Sequence, residues 1–312
     1  MGTFRVRWGI GRDNYKVTPG LYKIGNPDNQ SDVFVSANYK LSFDVLRKNL
    51  DSLNAWILVI DTKGVNVWCA AGKKIFETHN LVRSIKNANL DRIVNHRKII
   101  VPQLGATGVA AHKVKELSGF RVIFGPVQAK DIKAFIEAGY KATPSMRRIE
   151  FPLQDRAKLI PNDLMYEKYK LLALLVTLFV LSGLDKTGFV VSKMMETGFL
   201  PVINAGGAYI AGIVIAPLLL PLVPFRAFAL KGAFWGMVLT AFLYKISDAP
   251  LIETVAFGFL NLAIASFMTM NFTGSSTYTS LSGVKKEMKW ALPIQIAFAI
   301  IGLVLFIISK LI

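Results

Sequence analysis

Cysteine is almost missing from this chain: Cys69 stands alone among 312 residues. No disulfide can form within the chain, which fits a reducing compartment. One cysteine cannot build a zinc or iron–sulfur site either, since both need several protein ligands. A metal bound through Cys69 must therefore be held mostly by something else, such as a macrocycle. Histidine is nearly as scarce, with only His79, His96 and His112, and no Ser–His–Asp or paired-carboxylate spacing stands out. Acidic residues are outnumbered, 20 against 37 Lys and Arg, for a net charge of +17. The basic residues are dispersed and form no run, so no nucleic acid is expected as a partner. Anionic lipid headgroups or an acidic protein suit such a face better. The N-terminal stretch Met1–Arg7 lacks an apolar core of signal-peptide length. Neither a dinucleotide-binding glycine fingerprint nor a P-loop is present.

What the chain has in abundance is apolar sequence, 53% of all residues. That conflicts with so high a charge in one soluble domain and fits two unlike halves. Residues 1–164 read as a soluble domain and residues 165–312 as a transmembrane domain. In the first, a stretch over 1–31 rich in Gly, Asn, Asp and Pro suggests loops around a short strand at Phe4–Trp8. Strand and helix patterns then alternate. Val33–Val35, Ala55–Ile60, Lys98–Val101 and Arg121–Phe124 are expected strands, with a last one at Arg148–Phe151. Helices are expected from Ser42, as cap, to Leu53, and over Thr78–Ala88, His112–Leu117 and Ala129–Ala138. Short apolar strands between helices predict an α/β fold with a mostly parallel, doubly wound, Rossmann-like sheet. Ligands of such sheets sit beyond the carboxyl ends of the strands. The loops there are Ser36–Tyr39, Thr62–Asn66, Pro102–Gly108 and Gly125–Gln128. They supply the candidate binding residues Ser36, Thr62, Gly105, Ala106, Thr107, Gly108, Gly125, Pro126 and Val127. The Gly105–Gly108 segment opens toward a helix and offers backbone N–H groups to a phosphate, although a plain turn explains it as well.

The second half holds five candidate spans: Tyr169–Leu184, Phe199–Phe225, Ala227–Tyr244, Leu251–Met270 and Ala291–Ile308. Lys231 and Glu253 lie near span ends, where snorkelling is the ordinary expectation. The distribution of Lys and Arg around the spans puts the N-terminal domain in the cytoplasm, on a multi-pass protein of the inner membrane. The polar stretch Asn271–Met288 is then cytoplasmic, as a contact for the first domain or a partner, or as an ordinary loop.

One segment carries the chemistry. Asn66-Val67-Trp68-Cys69-Ala70-Ala71-Gly72-Lys73 follows an apolar strand and the break Asp61-Thr62-Lys63-Gly64. Asn66 suits an N-cap, and Trp68 to Lys73 can begin a helix. Cys69 then lies in the first turn, whose unpaired N–H groups carry partial positive charge and favour an anionic, metal-binding thiolate. Lys63 and Lys73 add positive charge. Ala70, Ala71 and Gly72 are small enough for a large flat ligand to come close. The bland alternative is that a lone cysteine is most often a small buried hydrophobe.

Those eight residues resemble, position for position, the cap-helix motif of the corrinoid proteins of microbial mercury methylation (HgcA). They are also similar to the related stretch in the large subunit of the corrinoid iron–sulfur protein. Ser36-Ala37-Asn38-Tyr39, Gln103-Leu104-Gly105-Ala106-Thr107-Gly108 and Phe124-Gly125-Pro126-Val127 resemble the family too, as does a soluble domain followed by membrane helices. One departure stands out: the family's Gly-Thr-Phe-Gly-Thr after the motif lysine is here Lys74-Ile75-Phe76-Glu77-Thr78. The resemblance implies a membrane-anchored corrinoid methyltransferase of anaerobes. Its activity would move a methyl group from the cobalt of cobalamin, or a related corrinoid, to mercury(II), giving methylmercury. The corrinoid would bind base-off, with the Cys69 thiolate as catalytic residue and lower axial ligand to cobalt. Asn66, Val67, Trp68, Ala70, Gly72 and Lys73 would shape the helix beneath the ring. A strong anionic donor opposite the methyl group polarises the cobalt–carbon bond and helps methyl leave toward a soft electrophile. An imidazole donates less, and none of the three histidines lies in the Asp-x-His-x-x-Gly pattern that delivers one to cobalt. The implied partners are a ferredoxin-like protein with two [4Fe–4S] clusters, as electron donor, and a methyl donor from the folate-linked one-carbon pathway. Two other readings stand beside this one. The first is a corrinoid methyl carrier of one-carbon metabolism, whose relative is soluble. The second is a transporter with a basic regulatory domain, which calls for strong intramembrane polar clusters.

Overall fold

The computed structural model describes residues 2–272 and 281–312. They separate into two compact units, one holding Ile10–Glu150 and the other Phe151–Ile312.

The first unit is organised by a five-stranded sheet of β1 (Gly20–Ile24), β2 (Val33–Ala37), β3 (Ala55–Ile60), β4 (Lys98–Val101) and β5 (Arg121–Phe124), in spatial order β1-β3-β2-β4-β5. The neighbours β3–β2, β2–β4 and β4–β5 are parallel. β1 pairs antiparallel with β3, Gly20 opposite Val59 and Ile24 opposite Ala55. The sheet is therefore mixed rather than parallel throughout. Its helices are α1 (Gly2–Arg7), α2 (Lys40–Asn49), α3 (Val67–Gly72), α4 (Thr78–Asn87), α5 (Leu90–Ile93), α6 (Ala111–Ser118) and α7 (Ile132–Glu137).

Every residue of β2 and β3 is buried, as continuous apolar runs require when helices cover both faces of a sheet. The two-residue period of a strand divides them between two cores. Val33, Val35, Leu58 and Ile60 meet Ala70 and Ala71 of α3, Leu81 and Ile85 of α4, and Val114 of α6. Phe34, Ile57 and Val59 meet Phe43 of α2 and Phe135 of α7. Each large apolar side chain so buried contributes roughly 1.5–3 kcal/mol. At the amino ends of the strands Lys98 pairs with Asp32 at 3.0 Å and bonds Tyr140 at 3.0 Å, while the Tyr140 hydroxyl donates to Asp32 at 2.8 Å. Burial works against the charged Lys98, but the bonds to Tyr140 and Asp32 outweigh it and its pKa is raised. Burial pushes the Tyr140 phenol up as well.

Three expectations for this half are corrected. Phe4–Trp8 is not a strand: Gly2–Arg7 is helical, with Val6 as its buried residue, so the Phe-Arg-Val-Arg-Trp alternation was not a sheet signal. α2 begins at Lys40, with Tyr39 at the cap position and Ser42 inside the first turn, and it ends at Asn49 rather than Leu53. Arg148–Phe151 is not a strand, and Arg148, Ile149 and Glu150 are exposed.

The second unit contains α8 (Leu153–Ala157), α9 (Ile160–Tyr166), α10 (Lys168–Leu181), α11 (Val191–Thr197), α12 (Phe199–Ile210), α13 (Ala216–Leu218), α14 (Phe228–Ile246), α15 (Leu251–Asn271) and α16 (Leu281–Leu311). A π-helical turn, Ala211–Ile215, joins α12 to α13. Among the described residues, three stretches are long and apolar enough to cross a membrane: Phe199–Leu218, Leu251–Asn271 and Ser282–Leu311. Two of the five expected spans do not qualify. α10 has 14 residues, about 21 Å at the α-helical rise, against a hydrocarbon core of about 30 Å. α14 has 19 residues but carries Lys231 and Lys245. Of the expected Asn271–Met288 loop, residues 273–280 lie outside the described residues, and residues 281–288 are the start of α16.

Small residues let α14 and α15 approach. A Cβ at Gly232 would collide with the Ala265 carbonyl, and one at Gly236 would stand 2.6 Å from the Asn261 carbonyl. Buried polar side chains then bridge the helices. Asn261 Nδ2 donates to Asn204 Oδ1 at 3.1 Å and to Thr240 Oγ1 at 3.0 Å. Thr269 Oγ1 lies 2.9 Å from the Gly212 carbonyl in the π-helical turn, and Gln295 Nε2 donates to Ser266 Oγ at 2.8 Å. Glu253 does not snorkel: it is buried in an ion pair with Lys310 at 2.9 Å. Asn261→Ala should cost about 1 kcal/mol, the scale of interhelical hydrogen bonds in apolar bundles. Thermal unfolding in detergent would measure it, and no change would mean these bonds do not hold the helices together.

Candidate functional site

The chain direction across the sheet reverses at β2. The β2-to-β3 connection leads to one side and the β3-to-β4 connection crosses to the other, so β2 and β4 end beside a topological switch point, where α/β sheets bind ligands. A cavity of about 430 Å³ lies there. Ser36 of β2, Pro102 and Leu104 after β4, and Gly125, Pro126 and Val127 after β5 form its sheet side. Leu41, Ser42, Val45 and Leu46 of α2 close one wall, and Asn66, Val67 and Trp68 lead from it into α3. The lining is mostly apolar, as expected of a pocket for a bulky organic ligand.

α3 begins as its sequence dictates. Asn66 is the N-cap, and its Oδ1 accepts from the Cys69 N–H at 2.9 Å. Val67, Ala70 and Ala71 face the core. Cys69 is half-buried. Gly72 and Lys73 follow at i+3 and i+4, the spacing of one helix face, and both are exposed. A Cβ at Gly72 would meet nothing within 4 Å. Among the described residues, the space one turn beyond the thiol is therefore open at Gly72.

The helix ends in a Schellman motif. Lys74 N–H donates to the Ala71 carbonyl at 3.1 Å and Ile75 N–H to the Ala70 carbonyl at 2.8 Å. The motif needs a left-handed residue after the C-cap, and Lys74 takes it with φ 56. This is the first position at which the chain departs from the glycine of the family it resembles. Glu77, the second departure, is extended at φ −138 and has no need of glycine. Lys74→Gly should stabilise the unit by about 0.5–1 kcal/mol, since a non-glycine left-handed residue costs roughly 1–2 kcal/mol and glycine returns part of that in entropy. Denaturant titration checks this, and a destabilised variant would contradict it.

The remaining candidates divide. Ser36, Asn66, Val67, Trp68, Gly125, Pro126 and Val127 all line the cavity. Cys69, Ala70, Gly72 and Lys73 belong to the adjoining helix rather than the lining. Thr62 is fully buried in the turn before α3, its Oγ1 2.6 Å from the Val65 carbonyl. The Gly105–Gly108 segment is partly bonded within itself. Gly105 N–H donates to Pro102 and Gly108 N–H to Gly105. A Cβ on Gly105 would press into the Phe76 ring at 2.6 Å, and one on Gly108 would collide with the Phe76 carbonyl. Those glycines let the loop after β4 close on the turn after α3. Ala106 and Thr107 lie between them, Thr107 exposed. Sequence reasoning missed the α2 wall of Leu41, Val45 and Leu46. It also passed over Gln103, whose Oε1 is buried with no hydrogen-bond partner among the described residues.

The first unit is thus an α/β domain with an apolar cavity at its switch point and a half-buried thiol on the adjoining short helix. Residues 9–136 match the family model of the CO dehydrogenase/acetyl-CoA synthase delta subunit. The corrinoid/iron-sulfur protein large subunit of Moorella thermoacetica is 32% identical over 125 residues, 39% of this chain and 28% of that protein. The acetyl-CoA decarbonylase/synthase complex subunit gamma of Methanopyrus kandleri is 30% identical over 128 residues, 40% of this chain and 27% of that protein. Its counterpart from Archaeoglobus fulgidus is 28% identical over 145 residues, 45% of this chain and 30% of that protein. The N-terminal part of the chain is thus related to this corrinoid-domain family. The matches span less than a third of those relatives' own length, and the family model ends at residue 136, before the apolar helices.

Proposed function

We propose that this chain is a membrane-anchored corrinoid methyltransferase whose acceptor is inorganic mercury(II). The observation that carries the reading is Cys69: the sole thiol, half-buried, on a face left bare by Gly72, in a domain related to corrinoid proteins. The residues fit such a group. Gly72 leaves room for a flat ring, Cys69 offers one sulfur donor, and the cavity beside them offers an apolar space of about 430 Å³ for a nucleotide base. When bound, the corrinoid supplies the methyl group and the electron-rich metal that carries it. Cys69 would hold the metal through its sulfur, Asn66 would hold the first turn, and Ser36 and Gly125–Val127 would exclude water from the cavity. Electrons would come from a ferredoxin-like protein with two [4Fe–4S] clusters, and methyl groups from the folate-linked pathway. The N-terminal unit would face the cytoplasm.

Methylmercury formation from mercury(II), under strict anaerobiosis, in cells producing this chain with such a ferredoxin, tests the proposal. No product from a folded, cobalt-loaded chain would move the assignment to a methyl carrier for another acceptor, the reading closest to the names of the relatives. Gly72→Ala offers a sharper local test. Helix propensity should stabilise the unit by up to about 1 kcal/mol, while the new methyl group should weaken corrinoid binding. Equal gain or equal loss of both would mean that no ring lies over this face.

A further inference from the structure

Asn38 follows the end of β2, is 2% exposed, and does not line the cavity. All of its polar groups are engaged. Its Oδ1 accepts from the Thr62 N–H at 3.0 Å and the Gly64 N–H at 2.9 Å, and lies 2.9 Å from Thr62 Oγ1. Its Nδ2 donates to Asp61 Oδ1 at 3.1 Å, and that oxygen also accepts from the Lys63 N–H at 2.9 Å. Its own N–H donates to the Ile60 carbonyl at 3.0 Å, and its carbonyl accepts from Val17 at 2.9 Å.

These bonds converge on Asp61–Val65, a turn with Lys63 and Gly64 in left-handed conformation. No strand ladder or helix sets the shape of that turn. The Thr62 hydroxyl carries the restraint onward, standing between Asn38 Oδ1 at 2.9 Å and the Val65 carbonyl at 2.6 Å. Val65 immediately precedes Asn66, which holds the Cys69 N–H. One buried amide just past the end of β2 is therefore linked, through a five-residue turn, to the start of the thiol-bearing helix.

We infer that Asn38 is a positioning residue for the Cys69 thiol. It fixes the launch of α3 and so decides whether the sulfur can reach a corrinoid metal. The inference rests on the corrinoid reading proposed above. Removing the amide leaves two buried N–H donors without their acceptor, and displacement of a reacting group by about 1 Å can cost on the order of a hundredfold in rate.

The test uses the full-length protein, purified anaerobically in detergent and supplied with cobalamin. Asn38→Ala should keep cobalt near the wild-type level but lose most of the Cys69-dependent cobalt–sulfur absorption. In corrinoid-free protein, iodoacetamide should alkylate Cys69 faster by about tenfold as the turn opens locally. Asn38→Asp should behave alike, because it sets two carboxylates against each other. Adding Asp61→Asn restores a donor to that pair and should recover the absorption. Unchanged absorption and alkylation in Asn38→Ala would overturn the inference. So would loss of cobalt together with cooperative unfolding, which would make Asn38 a general core residue, or failure of the double variant to recover. If the wild-type chain takes up no cobalamin, the proposed function falls, and the alkylation comparison alone still decides whether Asn38 controls the thiol.

Discussion

Cys69→Ala should abolish methyl transfer to mercury(II) while leaving the domain folded. The side chain contributes little to the core: it is half-buried, whereas Val67, Ala70 and Ala71 carry the packing of α3. The helix would also keep its cap, since Asn66 bonds the Cys69 backbone and not its sulfur. Stability should therefore change by less than about 1 kcal/mol. Activity should fall by on the order of a thousandfold or more, equivalent to about 4 kcal/mol of barrier. The cobalt–sulfur absorption of the loaded protein should vanish with it. Cys69→His separates ligation from chemistry: it should still bind cobalt but transfer methyl poorly, because a neutral imidazole donates less charge than a thiolate. Methylmercury measured in anaerobic cells, beside cobalt per chain in purified protein, reads both. Full activity in Cys69→Ala would remove the thiol from the reaction.

Gly108→Val should be the most damaging substitution in the loop after β4. The Phe76 carbonyl occupies the space a Cβ would need, and the Ala71 Cα stands 3.4 Å from it. The neighbouring bonds make retreat costly. Thr78 N–H donates to the Gly108 carbonyl at 3.2 Å, and the Ala110 N–H to Thr78 Oγ1 at 2.9 Å. Overpacking of this kind costs about 3 kcal/mol, and displacement of α3 should weaken corrinoid binding with it. Urea unfolding and cobalt content give the two readings. A fully stable variant would show that the loop and the helix are not clamped together.

Much of this architecture was legible from residue patterns. The limits of β3, β4 and β5 follow from apolar runs bounded by turn residues, and the α3 cap follows from Asn66 before a helical stretch. β1 was hidden because Gly20–Ile24 sits among glycine, asparagine and proline, and because an edge strand needs only a partner, not a long apolar run. Phe4–Trp8 and Arg148–Phe151 show the reverse: short alternations that look like strands but find no place in the sheet. For the site, the strand ends led to Ser36 and Gly125–Val127, which line the cavity. At Gly105 and Gly108 the glycines serve close packing on Phe76, a use that sequence does not distinguish from ligand approach. Of the five expected spans, three are long and apolar enough among the described residues, while α10 is short and α14 is less apolar, with a lysine near each end. The buried Asn204–Asn261–Thr240 bridge was not visible at all, since partners on three helices have no fixed spacing in sequence.

The order of the two units also bears on synthesis. The last strand of the sheet ends at Phe124, and the first helix long enough to cross a membrane begins at Phe199, 75 residues later. At a translation rate of about 5–20 residues per second, that interval lasts roughly 4 to 15 seconds. A sheet with three parallel pairings needs all its crossovers before it can close, and closure from distant segments is slow. The spacing gives the emerging chain time to bury β2 and β3 in their own core before the first long apolar helix leaves the ribosome.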